Sequence, residues 1–224
     1  MTTADLHGPA LGAELIAERA YVELRDRIVT LRLPPDTALR EDELMAELGI
    51  GRTPLREAVK RLALEGLVAV LPRRGTYVTG VDAAEIVHIT ELRAELEAYA
   101  AALAARRMDA ATRLEAEDLL EQVERLGRED DHEALMQVDR RIHAFVWAAS
   151  GNPYLVDTLE RCFSLSLRIW YVVLDRVPGL GHAVHDQTEL LRALVDRDAQ
   201  RAQALMRDHV LAFQREILAA FSRT

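Results

Sequence analysis

Leu39 to Val78 reads LREDELMAELGIGRTPLREAVKRLALEGLVAVLPRRGTYV, and the fold turns on this stretch. A short helical run closes at Gly49. A second run carries Arg52, Arg56, Lys60 and Arg61, and a hairpin pattern follows with Arg73-Arg74-Gly75 at its tip. Helix, turn, helix and basic hairpin in that order predict a winged helix-turn-helix, a shape that places one helix in the DNA major groove.

The charge distribution supports this reading. The chain of 224 residues has a net charge of −9. Between Gly51 and Thr76, however, six basic side chains face only Glu57 and Glu65. Only that window is suited to neutralising phosphates, so the acidic remainder should stay off DNA. Half of the residues are hydrophobic, enough for a core in each of two modest domains. No apolar run approaches the roughly 18–20 residues of a membrane span. The N-terminus lacks a basic-then-apolar signal pattern, so a cytoplasmic protein is expected. Cys162 is the single cysteine and reads as apolar filler.

Outward from the central stretch, a first helix is expected over about 11–31, stopped by Pro34-Pro35. A second helix is expected over Glu41–Leu48. Thr53 is the expected cap of the third helix, with Pro54 at its first position. Gly80-Val81-Asp82 marks the boundary between a DNA-binding domain (1–80) and an effector-binding and dimerisation domain (81–224). The second part shows no strand pattern. It divides into helical stretches over 83–107, 110–126, 132–149, 155–176, 185–197 and 199–221, broken near Gly127, Gly151-Asn152-Pro153 and Pro178–Gly181. The predicted fold class is mainly α: a winged helix-turn-helix followed by an all-α antiparallel bundle.

Three bundle helices carry a polar residue on an otherwise apolar face. Asp139 falls in the stripe of Leu135, Ile142 and Val146, with His143 on its flank. His209 lies amid Ala202, Met206 and Phe213, and Gln187 shares a face with Leu190, Leu191 and Leu194. Buried carboxylates and imidazoles need partners. A divalent metal (Zn, Ni or Mn) would satisfy them; the alternative is a metal-free polar cluster lining a cavity. Arg93 and Glu97, one turn apart beside the stripe of Ile86, Ile89, Leu96 and Ala100, suit either an effector carboxylate clamp or an internal ion pair. Trp170, Tyr171 and Arg168 are further candidates for the pocket wall. His7, His88, His132 and His182 read as surface residues.

The chain resembles the GntR superfamily of bacterial transcription regulators, in particular the FadR-like members with an all-helical FCD effector domain. Gly49-Ile50-Gly51-Arg52-Thr53-Pro54-Leu55-Arg56-Glu57-Ala58, Glu65-Gly66-Leu67 and Pro72-Arg73-Arg74-Gly75 carry the likeness in the first part. Leu92-Arg93, Leu96-Glu97, Asp139 with His143, Ser150-Gly151-Asn152-Pro153-Tyr154-Leu155, and Asp198 with His209 carry it in the second. The resemblance implies a homodimeric repressor or activator on operator DNA, controlled by a small carboxylate metabolite. It implies Arg52, Thr53 and Arg56 at the bases, and Arg73, Arg74 and Gly75 as the wing. It also implies a metal held by one Asp and three His. Asp139, His143 and His209 match three of those places; Gln187 stands in the fourth, with His185 two residues away. Asn152 matches the family's turn, as a helix cap or an effector contact. Lys60 and Arg61 are phosphate-contact candidates, and Glu41-Asp42-Glu43 stands where the family often has a basic residue. A metal-dependent enzyme built on Asp139, His143 and His209, and a DNA-binding protein without an effector, are the competing readings. No nucleophile motif, placed general base or cofactor loop favours the enzyme.

Overall fold

Glycines and prolines set the ends of most elements, and the chain between them follows the apolar periodicity. The computed structural model describes residues 8–82, 84–126, 132–173 and 181–221. They divide into two compact units, Met1–Val81 and Asp82–Thr224.

The first unit has the order α1 (Gly8–Val29), β1 (Ala38–Leu39), α2 (Glu41–Leu48), α3 (Arg52–Leu64), β2 (Val68–Leu71) and β3 (Gly75–Val78). Helix α1 packs on α3, and Leu24 and Ile28 of α1, Leu55 and Leu62 of α3, and Leu67 are all fully buried. The Tyr21 hydroxyl donates to Glu65 at 2.9 Å, joining α1 to the end of α3. Gly49 closes α2 at φ 64°, and its N–H donates to Met45 O, a left-handed cap that suits glycine. The three strands form an antiparallel sheet in the order β1-β3-β2. Strand β1 pairs Ala38 with Tyr77 and Leu39 with Thr76; two residues are too few to show strand alternation in a sequence.

One expectation here is corrected. Thr53 does not cap α3. Gly51 occupies the cap position in extended conformation, and the helix starts at Arg52. Thr53 and Pro54 therefore lie in the first turn, where the missing N–H of proline costs no helix bond.

The second unit contains α4 (Glu85–Arg107), α5 (Ala110–Leu126), α6 (His132–Ala149), α7 (Pro153–Val173), α8 (Gly181–Val195) and α9 (Ala199–Phe221). Asp82 accepts from Ala84 N–H at 2.9 Å just ahead of α4. Helix α4 packs against α6, α7 and α9. Its alanines from Ala100 to Ala105, interrupted only by Leu103, are buried, and their small side chains let the neighbouring helices approach closely. The buried stripe of α4 differs from the expected one. Ile86, Thr90, Arg93, Ala94, Glu97, Ala98 and Ala100 face inward, while Ile89 and Leu96 of the expected stripe are only half-buried. The charged pair thus occupies the core face itself, not its flank. Helix α7 starts two residues earlier than expected, and α8 runs over Gly181–Val195 instead of 185–197. The expected breaks at Gly127 and at 178–180, and His7, lie outside the described residues, as do the side chains of His132, His182 and His185.

Candidate functional site

The exposed face of the first unit gathers the basic residues. Arg52 and Arg56 project from the first turns of α3, with side chains 59% and 62% exposed. Thr53, Arg73, Arg74 and Gly75 are also exposed. At the wing tip Arg73 has φ 63° and Gly75 φ 100°, and Arg74 N–H donates to Leu71 O at 3.1 Å. The acidic start of α2 meets the two helix arginines. Arg52 Nη2 donates to Asp42 Oδ1 at 3.3 Å, and Arg56 Nε donates to Glu41 at 3.2 Å. Exposed pairs of this kind contribute about 0–1 kcal/mol, less than the roughly 1–3 kcal/mol of a bidentate arginine–guanine contact. They orient the arginines without locking them. Arg61, with its side chain 43% exposed, donates to Glu18 at 2.7 Å and stacks 3.6 Å from the centroid of the Tyr21 ring. Lys60 is exposed.

In the second unit, Asp139 and His143 from α6 meet His209 from α9. His143 Nε2 lies 3.2 Å from His209 Nε2. Asp139 Oδ1 lies 3.3 Å from His209 Nε2 and 3.7 Å from His143 Nε2. Donors that share one cation at about 2.0–2.2 Å lie roughly 3–4 Å apart, so this trio fits a divalent metal. The side chain of His143 is more buried than that of Asp139 (2% against 15% exposed), the reverse of the expected order on α6. Gln187, 2% exposed on α8, donates its amide N–H to Asp139 Oδ1.

Glu97 stands on the other side of His143. Its Oε2 accepts from His143 Nδ1 and, at 3.2 Å, from Trp147 Nε1. Its Oε1 accepts from Arg93 Nε at 2.6 Å. An ionised carboxylate only accepts hydrogen bonds, so the His143 proton sits on Nδ1 and the Nε2 lone pair turns toward the trio. Burial alone would raise the Glu97 pKa. The charge of Arg93 and the hydrogen bonds from His143 and Arg93 outweigh burial and lower it to about 2. For His209, burial opposes protonation, but the hydrogen bond and charge of Asp139 outweigh it and raise the pKa. Asp139 is held below the usual carboxylate range because the neighbouring histidines overcome its burial.

Arg93, Asp139, His143 and His209 line one cavity together with Phe163 and Phe213. Its volume is about 10 Å³, about the room of one water molecule. The Arg93 guanidinium lies 4.9 Å from the Phe163 ring centroid. Glu97 does not line this cavity; it is joined to it through His143 and Arg93. Asn152 accepts from Tyr154 N–H at 3.2 Å at the start of α7, and it does not line the cavity. Trp170, Tyr171 and Arg168 do not line it either. Reading the sequence missed the Glu97–His143 link. The one available signal was Trp147 at one turn from His143, on the face where Glu97 arrives.

Each of the two units matches a known protein family. Residues 16–78 match the bacterial regulatory proteins of the gntR family, and residues 88–212 match the FCD domain. The HTH-type transcriptional repressor GlaR of Escherichia coli is 33% identical over 202 residues, spanning 85% of this chain and 90% of GlaR. An HTH-type transcriptional regulator in an unstable DNA locus of Streptomyces ambofaciens is 31% identical, spanning 86% of this chain and 80% of that protein. The solved structure of E. coli McbR/YncC shares the fold, with a TM-score of 0.79 at 22% identity over 93% of this chain and 98% of that one. These relatives are transcription regulators, not enzymes, and the enzyme reading is set aside. The chain belongs to the GntR family of transcription regulators, with an FCD domain following its helix-turn-helix head.

Proposed function

We propose that this regulator is a cytoplasmic homodimeric repressor whose hold on operator DNA is set by a small carboxylate metabolite in the second unit, with a divalent metal at Asp139, His143 and His209. The observation that supports this reading is the convergence of those three ligand atoms on a cavity that Arg93 also lines. A bound cation supplies a fixed positive charge for a carboxylate, and Arg93 adds a planar pair of donors. The apolar walls of Phe163, Leu167 and Phe213 close around little space and suit a short organic acid better than a long acyl chain. No helix among the described residues is long and apolar enough to cross a membrane.

On the DNA side, Arg52, Thr53 and Arg56 would read base edges in the major groove. Arg73, Arg74 and Gly75 would follow the backbone or minor groove beside it. One recognition helix spans too few base pairs for useful specificity, so two copies on a palindrome are expected. A ligand changes operator affinity only if it binds one arrangement of the two heads better than the other.

The test is a thermal-shift screen of the full chain with Zn, Ni and Mn and with small carboxylates, beside elemental analysis of the purified protein. Ligand at a hundredfold its Kd stabilises by about 2.7 kcal/mol. A metal and a carboxylate that each raise Tm, with both effects lost in His143→Ala, support the reading. A chain that binds DNA while no metal or carboxylate shifts it would favour the effector-independent alternative.

A further inference from the structure

We infer that Gln187 is a positioning residue and not a metal ligand, so that a cation in this site has three protein ligands and an exchangeable remainder filled by water or effector. The inference rests on the metal reading above and deepens it.

Gln187 is 2% exposed and shares the buried face of α8 with Leu190, Leu191 and Leu194, so it has no room to swing into solvent. Its Nε2 donates to Asp139 Oδ1, the same oxygen that faces His143 and His209. A carboxylate cannot donate, so the amide must meet it with its NH2 group. That group has no lone pair for a cation. Turning the amide over would set its oxygen against the Asp139 oxygen and lose the bond. One carboxylate oxygen and two imidazole nitrogens then remain, as in zinc sites that keep an open position.

Two consequences follow. By holding the Asp139 carboxylate, Gln187 orders a ligand from outside the coordination shell, a contribution usually worth about 10–100-fold in metal affinity. Because an effector carboxylate would take the open position, metal and effector must strengthen each other's binding by the same factor.

The experiment uses the full chain stripped of metal and titrated with Cu²⁺, a probe whose EPR hyperfine pattern counts coordinated nitrogens. Calorimetry with Zn²⁺ runs in parallel. Wild type should show two imidazole nitrogens. Gln187→His should show three and bind Zn²⁺ at least about tenfold tighter. Gln187→Ala should keep the two-nitrogen pattern while binding about 10–100-fold more weakly. Three results overturn the inference: Gln187→His no tighter than wild type, a two-nitrogen pattern in Gln187→His, or Gln187→Ala losing metal as completely as His143→Ala. If wild type binds a metal that His143→Ala loses while both Gln187 variants behave as wild type, this inference falls and the metal reading stands. If no variant takes up metal, both fall.

Discussion

Glu97 accepts a hydrogen bond from His143 Nδ1 across 46 residues of chain, and this sets which face of the imidazole is free. The carboxylate, completely buried, holds the tautomer that turns the Nε2 lone pair toward Asp139 and His209. Arg93 and Trp147 anchor the same carboxylate from two further sides. Glu97→Gln should therefore lower metal affinity by about 10–100-fold without removing any ligand atom. Calorimetry with Zn²⁺ checks this; unchanged affinity would mean that Glu97 does not orient His143.

The same substitution carries a pH signature. The Glu97 pKa falls from its ordinary 4.5 to about 2 on folding, so the folded chain binds fewer protons than the unfolded chain between those values. The stability this contributes is complete above about pH 4.5 and is lost as pH falls toward 2. Breaking a buried pair costs about 3–5 kcal/mol, and Glu97→Gln should show a loss of that order at pH 7. Urea unfolding of the metal-free protein at pH 7 and pH 3 should show the gap to wild type narrowing in acid. A gap of constant size would contradict the coupling.

Arg93 has a dual position, paired to Glu97 and lining the cavity. Arg93→Lys retains the charge but loses the planar fork. Affinity for the effector carboxylate should drop by about tenfold or more, in line with roughly 1.5–3 kcal/mol for a hydrogen bond to a charged group. Metal uptake should be little changed. Calorimetry with the carboxylate picked out by the thermal-shift screen checks both halves, and unchanged carboxylate affinity would remove Arg93 from effector recognition.

In the head, Arg52→Ala and Arg56→Ala should each relax base preference by about 1–3 kcal/mol at the position they read. Arg73→Ala should weaken binding evenly across sequences and flatten its salt dependence. A competition assay over single-base variants of the site separates the outcomes. Preserved preference in both helix variants would displace the reading surface from the start of α3.

Much of the architecture was legible because punctuation and periodicity coincide. Helices α2, α5, α6 and α9 span the expected residues, and the basic hairpin follows α3. Three things were not legible, for physical reasons. Arg93 and Glu97 repeat at i and i+4, a spacing that looks the same on a solvated face and in a core; packing alone distinguishes them. The alanines of α4 read equally as surface and as close-packed core. The pairing of Glu41 and Asp42 with Arg56 and Arg52 depends on the angle between two helices, which no local pattern encodes. Of the cluster itself, the periodicity placed Asp139, His209 and Gln187 on apolar faces. The direction of the Gln187 amide and the Glu97 support required coordinates.

The central claim is that one chain joins operator reading by Arg52 and Arg56 to a ligand site at Asp139, His143 and His209. Its most direct test is fluorescence anisotropy of the full chain on a duplex selected from a random library, titrated with metal and then with the carboxylate found by screening. The account predicts enrichment of a palindrome with half-sites about one helical turn apart. It also predicts a carboxylate-dependent change in affinity that His143→Ala and His209→Ala abolish while DNA binding itself persists. An unchanged carboxylate response in both histidine variants would contradict it.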